Sequence, residues 1–261
     1  MFLVLRIKAW HLAVAAALML ALPLTFEIGR RQVTSAPRRM PINSVMTDER
    51  KVALTFDDAP WDPEAIPRIL AVLQAHGVRS TFFLTTPWVK RYPEMARMIA
   101  RGGHEIGLHS TSHRDMRRLS REDIIAELEA NRRAIEEVTG QRARLFRAPF
   151  GAYDDRLLSI AEDELGLVAI QWNVDSRDWR GLSARAIVRR VTRAVRPGSI
   201  VLFHSTARHT AEALPEIIAF LRERGYAMVP VSELLHKGDY YVDPMGRQVD
   251  LPDGSERPSA D

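Results

Sequence analysis

The chain has no cysteine among its 261 residues. That excludes disulfide staples and thiolate-held metals, and leaves any metal site to oxygen and imidazole ligands. An exported protein would avoid stray thiols in this way, although the absence is permissive and not diagnostic. No internal repeat or low-complexity block is present, which sets aside repeat architectures. Charge of one sign is not in large excess, at a formal +4. The isoelectric point near 9.7 comes from arginines that alternate with Glu and Asp, as in SREDIIAELEANRRAIEEV from Ser120. That pattern is a solvated helix face and not a nucleic-acid footprint, though it is compatible with a mild attraction to anionic polymers.

The N-terminal apolar run, Leu12 to Phe26, falls short of the ~20 residues of a full membrane span. It follows Arg6 and Lys8 and resembles a signal-peptide core, yet no clean small-x-small cleavage site comes after it. Residues 1–26 are therefore expected to be an uncleaved signal anchor, with a cleaved, secreted form as the alternative. Arg30, Arg31, Arg38 and Arg39 lie beyond the run and outnumber the basic residues before it. Taken alone, that bias would put the rest of the chain in the cytoplasm. Residues 27–48 lack periodicity and read as a linker. From Gly238 the sequence turns polar and rich in Pro and Gly, so 238–261 reads as a mobile tail.

Between these ends, seven short apolar runs alternate with helix-length segments: VALTF, STFFL, EIGLH, RLFRAP, LVAIQWN, SIVLFHS and AMVPV. Such spacing predicts buried parallel strands and an α/β architecture, barrel or open sheet, in one catalytic domain over 49–237. Helices are expected from about Glu64, Pro93, Ser120, Asp154, Ser183 and Thr210. Ser120, with Asp123 three residues on, is a capping signal, and Gly140, Gly166 and Gly225 are stop signals.

The polar clusters sit just past these runs: Asp57-Asp58, His109 to His113, Arg147, Asp175 to Trp179, and His204. Strand carboxyl ends converge on one face in such folds, so five clusters would build one site. Two adjacent carboxylates would push one pKa upward unless a cation neutralises one of them. HSTSH supplies two imidazoles four residues apart, a spacing that puts both on one side of a helical turn. One carboxylate with two His is an open three-ligand set. It suits water-activating zinc hydrolases and also non-haem iron oxygenases. A second carboxylate and a further His, with Asp178 as a possible orienting partner, favour metal-assisted hydrolysis. His11, His76, His104 and His236 lack this context and read as structural, and His209 is a weak candidate for a substrate contact.

In order, TFDDAP, HSTSH, RAPFG, DSRDW and LFH resemble the five motifs of the polysaccharide deacetylases with a NodB-homology domain, carbohydrate esterase family 4. The likeness runs from about Lys51 to about Leu235. Two departures stand out: Ala59 where the family has Gly, and Phe150 where it has Tyr. The resemblance implies an irregular (β/α)7 barrel, like a TIM barrel. It implies a divalent metal on Asp58, His109 and His113, with Zn2+ the default and Co2+, Fe2+, Mn2+ or Ni2+ as alternatives. Asp57 would be the general base, held ionised by Arg147, and His204 the general acid, oriented by Asp178. The Phe150 amide would stabilise the oxyanion, while Trp179 and Leu202 would wall the acetyl methyl.

The expected reaction is removal of N-acetyl groups from amino sugars of a polysaccharide, peptidoglycan before chitin-type oligomers. A monomer tethered to the membrane with its catalytic domain outside is expected, the outward topology resting on the resemblance. Rival readings are a catalytically silent glycan-binding cell-wall protein and an amidohydrolase on a small non-sugar amide.

Overall fold

The structure is a computed structural model, and it describes residues 39–58 and 65–251. The apolar run Leu12 to Phe26 and the departure at Ala59 lie outside the described residues. The elements are β1 (Ser44–Val45), β2 (Lys51–Asp57), α1 (Ala65–Ala75), β3 (Thr81–Leu84), α2 (Thr86–Arg91), α3 (Pro93–Arg101), β4 (Glu105–Leu108), α4 (Arg121–Thr139) and β5 (Leu145–Phe146). They continue with α5 (Asp155–Ser159), β6 (Val168–Ala169), β7 (Val174–Asp175), α6 (Ala184–Ala194), β8 (Ile200–His204), α7 (Thr210–Glu223), β9 (Ala227–Met228), α8 (Val231–Leu234), β10 (Tyr240–Val242) and β11 (Arg247–Asp250). Strands pair in the order β6-β5-β4-β3-β2-β8-β7, with β9 also on β2, and every pairing is parallel. The curled parallel sheet with its helices is the expected (β/α)7 barrel-like fold. The helix signals hold locally as well: the Ser120 hydroxyl accepts from the Asp123 amide, and Gly140 ends α4 in the left-handed conformation.

Alternation along the strands divides the sheet into two faces. Val52, Leu54 and Phe56 of β2 point outward and join the core under the helices, where Phe56 stacks between Phe82 and Phe203 at 4.8 and 5.5 Å. Each such aromatic pair adds about 0.5–1.5 kcal/mol beyond its burial. Ala53, Thr55 and Asp57 point inward, as do Ile200, Leu202 and His204, their register partners on β8. The inward floor is apolar, with Ala53, Phe83, Leu145, Ile170 and Ile200 clustered with Val231 and Leu234 of α8. At the amino ends Thr81 and Glu105 bond each other and the α8 backbone, whereas the carboxyl ends gather the charged groups Asp57 and His204.

The chain termini of the domain differ from the expected linker and tail. Residues 240–242 and 247–250 are strands, and β11 pairs with β10 antiparallel and with β1 parallel. The turn between them is closed by the Asp243 carboxylate, which accepts from the Met245 and Arg247 amides at 2.9 Å each. Gly246 there has φ +77, and a Cβ on it would lie 2.4 Å from Asn43. Ile42 bridges to Ile170 and Ser44 to Ser199, so residues from the expected linker fill the sheet beside β6 and β8. Polar composition misread these strands because each is too short to show a period. Among the described residues, no helix is long and apolar enough to cross a membrane.

Candidate active site

The site begins at the inward carboxyl end of β2. Asp57 accepts from the Arg147 guanidinium at 2.6 Å, and the same nitrogen donates to Thr55 Oγ1 at 2.9 Å. The other terminal nitrogen donates to the Gln171 carbonyl at 3.0 Å. Arg147 is fully buried, with its guanidinium 4.1 Å from the Phe83 ring centroid and 5.5 Å from that of Trp172. Phe83 reaches this position because β4 carries Gly107, where a Cβ would lie 2.6 Å from the Phe83 ring. Burial alone would raise the Asp57 pKa. The charge of Arg147, with those of His109 and His204, reverses this and holds it below the ordinary carboxylate value.

Asp58 behaves oppositely. Ser205 donates to its Oδ1, whereas Oδ2 is buried with no hydrogen-bond partner. Burial, and to a lesser degree the Asp57 charge, lifts its pKa to about 8. An orphaned, buried carboxylate oxygen beside a second carboxylate fits a cation ligand.

His109 Nδ1 donates to the Arg147 carbonyl at 2.8 Å. A carbonyl can only accept, so Nδ1 carries the proton and Nε2 keeps its lone pair, the form a ligand needs. Burial depresses the His109 pKa to about 4, which favours that neutral ring. The His113 ring meets His109 edge-to-face at 5.0 Å and the Phe150 ring at 4.7 Å.

The two imidazoles do come together, but not on a helical turn. Ser110 and His113 have positive φ, 69° and 51°. Glu127 of α4 satisfies the loop amides instead, accepting from Thr111 at 2.8 Å and Ser112 at 2.7 Å. Asn131, one turn later and fully buried, accepts from the His109 amide at 2.9 Å and donates to the Leu84 carbonyl at 3.1 Å. By sequence alone both residues belong to the solvated face of SREDIIAELEANRRAIEEV. Their signal was present: Ile124, Glu127, Leu128, Asn131 and Ile135 all lie on the buried stripe of α4, where a carboxylate and an amide interrupt apolar spacing.

The second charged pair joins DSRDW to β8. Asp178 Oδ1 bonds His204 Nδ1 at 2.8 Å, and Oδ2 accepts from the His204 amide at 2.8 Å and the Thr210 hydroxyl at 2.6 Å. Burial would lower the His204 pKa, but the bond to Asp178 and its charge more than reverse this, so it is raised. Asp175 accepts from the Arg177 amide at 2.8 Å, and its charge adds a smaller contribution to the raised His204 pKa. Leu202 is buried two residues below His204 on the same face, whereas Phe150 and Trp179 are 70% and 57% exposed. His209 is occupied by Glu212 at 2.8 Å, and His104 accepts from the Ser80 amide, both structural roles.

The polysaccharide deacetylase family model matches residues 44–170. Over 194 residues the chain is 36% identical to a chitooligosaccharide deacetylase of Sinorhizobium fredii, covering 69% of this chain and 89% of that one. The chain belongs to the polysaccharide deacetylase family. It is also 34% identical to the peptidoglycan-N-acetylmuramic acid deacetylase PdaC of Bacillus subtilis, over 78% of this chain and 42% of that one. A carbohydrate esterase family 4 pseudoenzyme from Bacillus anthracis superposes with a TM-score of 0.71 at 37% identity, covering 76% of this chain and 69% of that one. The chain spans about half the length of several curated relatives that it matches.

Deacetylases of this family are generally metal-dependent, and the donor chemistry of Asp58, His109 and His113 suits a divalent cation. Among the described residues, however, no three His, Asp or Glu side chains are grouped so that they could hold an ion. Asp58 Oδ1 is turned to Ser205, and the His113 ring packs between His109 and Phe150.

Proposed function

We propose that the protein is a metal-dependent hydrolase that removes N-acetyl groups from amino sugars of a polysaccharide, with peptidoglycan as the substrate. One observation carries this reading: an ionised carboxylate locked to Arg147 and a raised-pKa imidazole locked to Asp178 stand at the ends of neighbouring strands, paired Asp57 to His204 in register. A base and an acid at neighbouring strand ends are what amide hydrolysis needs, since water must lose a proton and the departing amine must gain one.

A divalent ion held by Asp58, His109 and His113, Zn2+ before Co2+, Fe2+, Mn2+ or Ni2+, would supply the Lewis acid that polarises the acetyl carbonyl and acidifies water. Asp57 takes the proton of the attacking water, and Arg147 keeps it ionised for that task. The Phe150 main chain, at φ 61°, offers its N–H to the oxygen on which negative charge grows. Loss of the tyrosine hydroxyl leaves that main-chain donor in place. His204 delivers a proton to the leaving nitrogen, with its ring fixed by Asp178.

The similarity to a pseudoenzyme favours one rival, a silent glycan-binding protein. The complete Asp57, Asp58, His109, His113 and His204 set speaks against it. The segment 1–26 as a membrane anchor, with the domain outside the cell, belongs to this reading, and fractionation of cells with external protease digestion tests it.

The reading is tested with metal-reconstituted protein, measuring acetate release from peptidoglycan, chitin oligomers and acetylated xylan. Release from the first is expected to dominate, and no release from any glycan would overturn the hydrolase. In parallel, His109→Ala/His113→Ala should lose the bound metal by elemental analysis, because an open three-ligand site has no spare ligand. Full metal retention would remove the ligand assignment.

A further inference from the structure

The loops at the carboxyl ends of the strands carry an uneven charge. Among their described residues, Arg114, Arg117, Arg118, Arg177, Arg180 and Arg208 are exposed, whereas no carboxylate there is. Asp115 and Asp154 are half-buried and committed to local caps, accepting from the Arg117 and Leu157 amides. Asp115 also pairs with Arg117 at 2.8 Å and with Arg118 at 3.7 Å, and Glu127 pairs with Arg114 at 3.4 Å, so the local excess of positive charge lies beside DSRDW.

Two of these arginines flank an exposed aromatic next to the Asp178–His204 pair. The Arg180 guanidinium lies 4.9 Å from the Trp179 ring centroid. Arg177 is held at φ 54°, ψ 28°, a left-handed conformation that costs a non-glycine residue energy. Its amide is tied to Asp175 at 2.8 Å, while its guanidinium stands 3.8 Å from that carboxylate and is 46% exposed. Such a ring offers an apolar face to a sugar, and guanidinium forks beside it match a carboxylate.

We propose that Arg177 and Arg180 recognise a carboxylate on the glycan beside the acetamido group to be hydrolysed, so that the site selects acidic over neutral N-acetylated saccharides. This rests on the glycan-deacetylase reading. The carboxylate has two sources in peptidoglycan, the lactyl group of the sugar and the stem peptide. Arg208, exposed on the loop after β8, adds a longer-range field that draws in an anionic strand.

The test uses the full-length, metal-loaded protein and three probes: peptidoglycan strands with stem peptides, the same strands stripped to their lactyl carboxylates, and neutral chitotetraose. Dissociation constants and the KM and kcat of acetate release are measured for wild type, Arg177→Asn, Arg180→Gln and the double variant. Asparagine is chosen at 177 because it tolerates positive φ. In the double variant, affinity for the acidic strands should fall about 3- to 10-fold, the combined scale of two partly exposed ionic contacts, with KM rising and kcat held. Chitotetraose should change less than about 2-fold, since it offers no ion pair.

A loss on stripped strands identifies the lactyl group, and a loss only on intact strands identifies the stem peptide. Added salt should erase the wild-type preference for acidic strands. Equal loss on all three probes, or no loss on the acidic ones, overturns the proposal. If wild type releases acetate from none of them, the deacetylase reading fails, while the dissociation constants still decide the role of the rim.

Discussion

The two charged pairs of the site have the same logic and different depths. Arg147 and Asp57 meet inside the barrel, both buried, with the guanidinium between aromatic rings. Asp178 and His204 meet at the rim, where the His204 side chain keeps 24% exposure and Asp178 is bonded also to Thr210 and two backbone amides. A buried ion pair cannot lose one partner without stranding the other in a dry interior. A rim pair embedded in further hydrogen bonds can. The interior pair should therefore be needed for the fold and the chemistry together, and the rim pair chiefly for the chemistry, with a small, pH-dependent share in stability.

Arg147→Ala should have the largest effect. It leaves Asp57 charged and unpaired, and about 3–5 kcal/mol of stability should be lost, measured by denaturant titration, along with activity. Arg147→Met combined with Asp57→Asn should recover much of that stability but not the turnover. Undiminished stability in Arg147→Ala would show that Asp57 is solvated well enough to stand alone, and the contrast of depths would collapse.

His204→Ala should cost ~10²- to 10⁴-fold in turnover on N-acetyl sugars, the scale of a positioned proton donor, with little change in stability. An activated phenolate acetate needs no proton to leave, so its hydrolysis should fall much less. The ratio cancels any shared loss of folding or metal. Equal loss on both substrates at unchanged metal content would reassign His204 to transition-state binding or to structure.

The interior pair can also be loosened indirectly. Gly107→Ala places a Cβ 2.6 Å from the Phe83 ring and 3.2 Å from the Leu145 carbonyl. Overpacking of this kind costs about 1–3 kcal/mol, and it would push the ring that faces the Arg147 guanidinium. Phe83→Leu in the same chain should relieve part of the loss in the thermal midpoint. If Gly107→Ala alone is neutral, Phe83 has room to move and does not fix the guanidinium.

The main elements of the site were legible in the sequence because each cluster ends a recognisable apolar run, and parallel strands bring such ends together whatever lies between them. The seven expected strands recur in order for the same reason, but LVAIQWN supplies only β6, and a further strand, β7, follows it without a helix at the other edge of the sheet. What was not legible depended on partners distant in sequence. Glu127 and Asn131 look like surface residues until their positions on the α4 stripe are set against Ile124 and Leu128. Nor does the spacing His-x-x-x-His reveal that the loop is shaped by Glu127 and not by helical bonds. The pairing of β1 with β11 joins residues some two hundred positions apart, Ser44 with Arg247, and neither strand has the length to declare itself alone.

The smallest expected effect lies in the pH dependence of the rim pair. Burial disfavours the protonated His204 ring, and the Asp178 bond and charge outweigh this to raise its pKa above the ordinary value. A raised folded-state pKa means the pair contributes its full stability below the unfolded pKa, about 6.5, and loses it as pH rises through the folded value. The same shift keeps a proton donor charged further into the alkaline range. Asp178→Asn removes the opposing charge but keeps an oxygen that can accept from Nδ1, so the ring should stay oriented while its pKa falls. The alkaline limb of kcat/KM on N-acetyl sugars should then move to lower pH, and an imidazole titration followed by NMR should move with it. The stability gap between wild type and variant should be widest in mild acid and narrow as pH rises. A limb that stays in place while the imidazole titration shifts would mean that another group donates the proton to the amine.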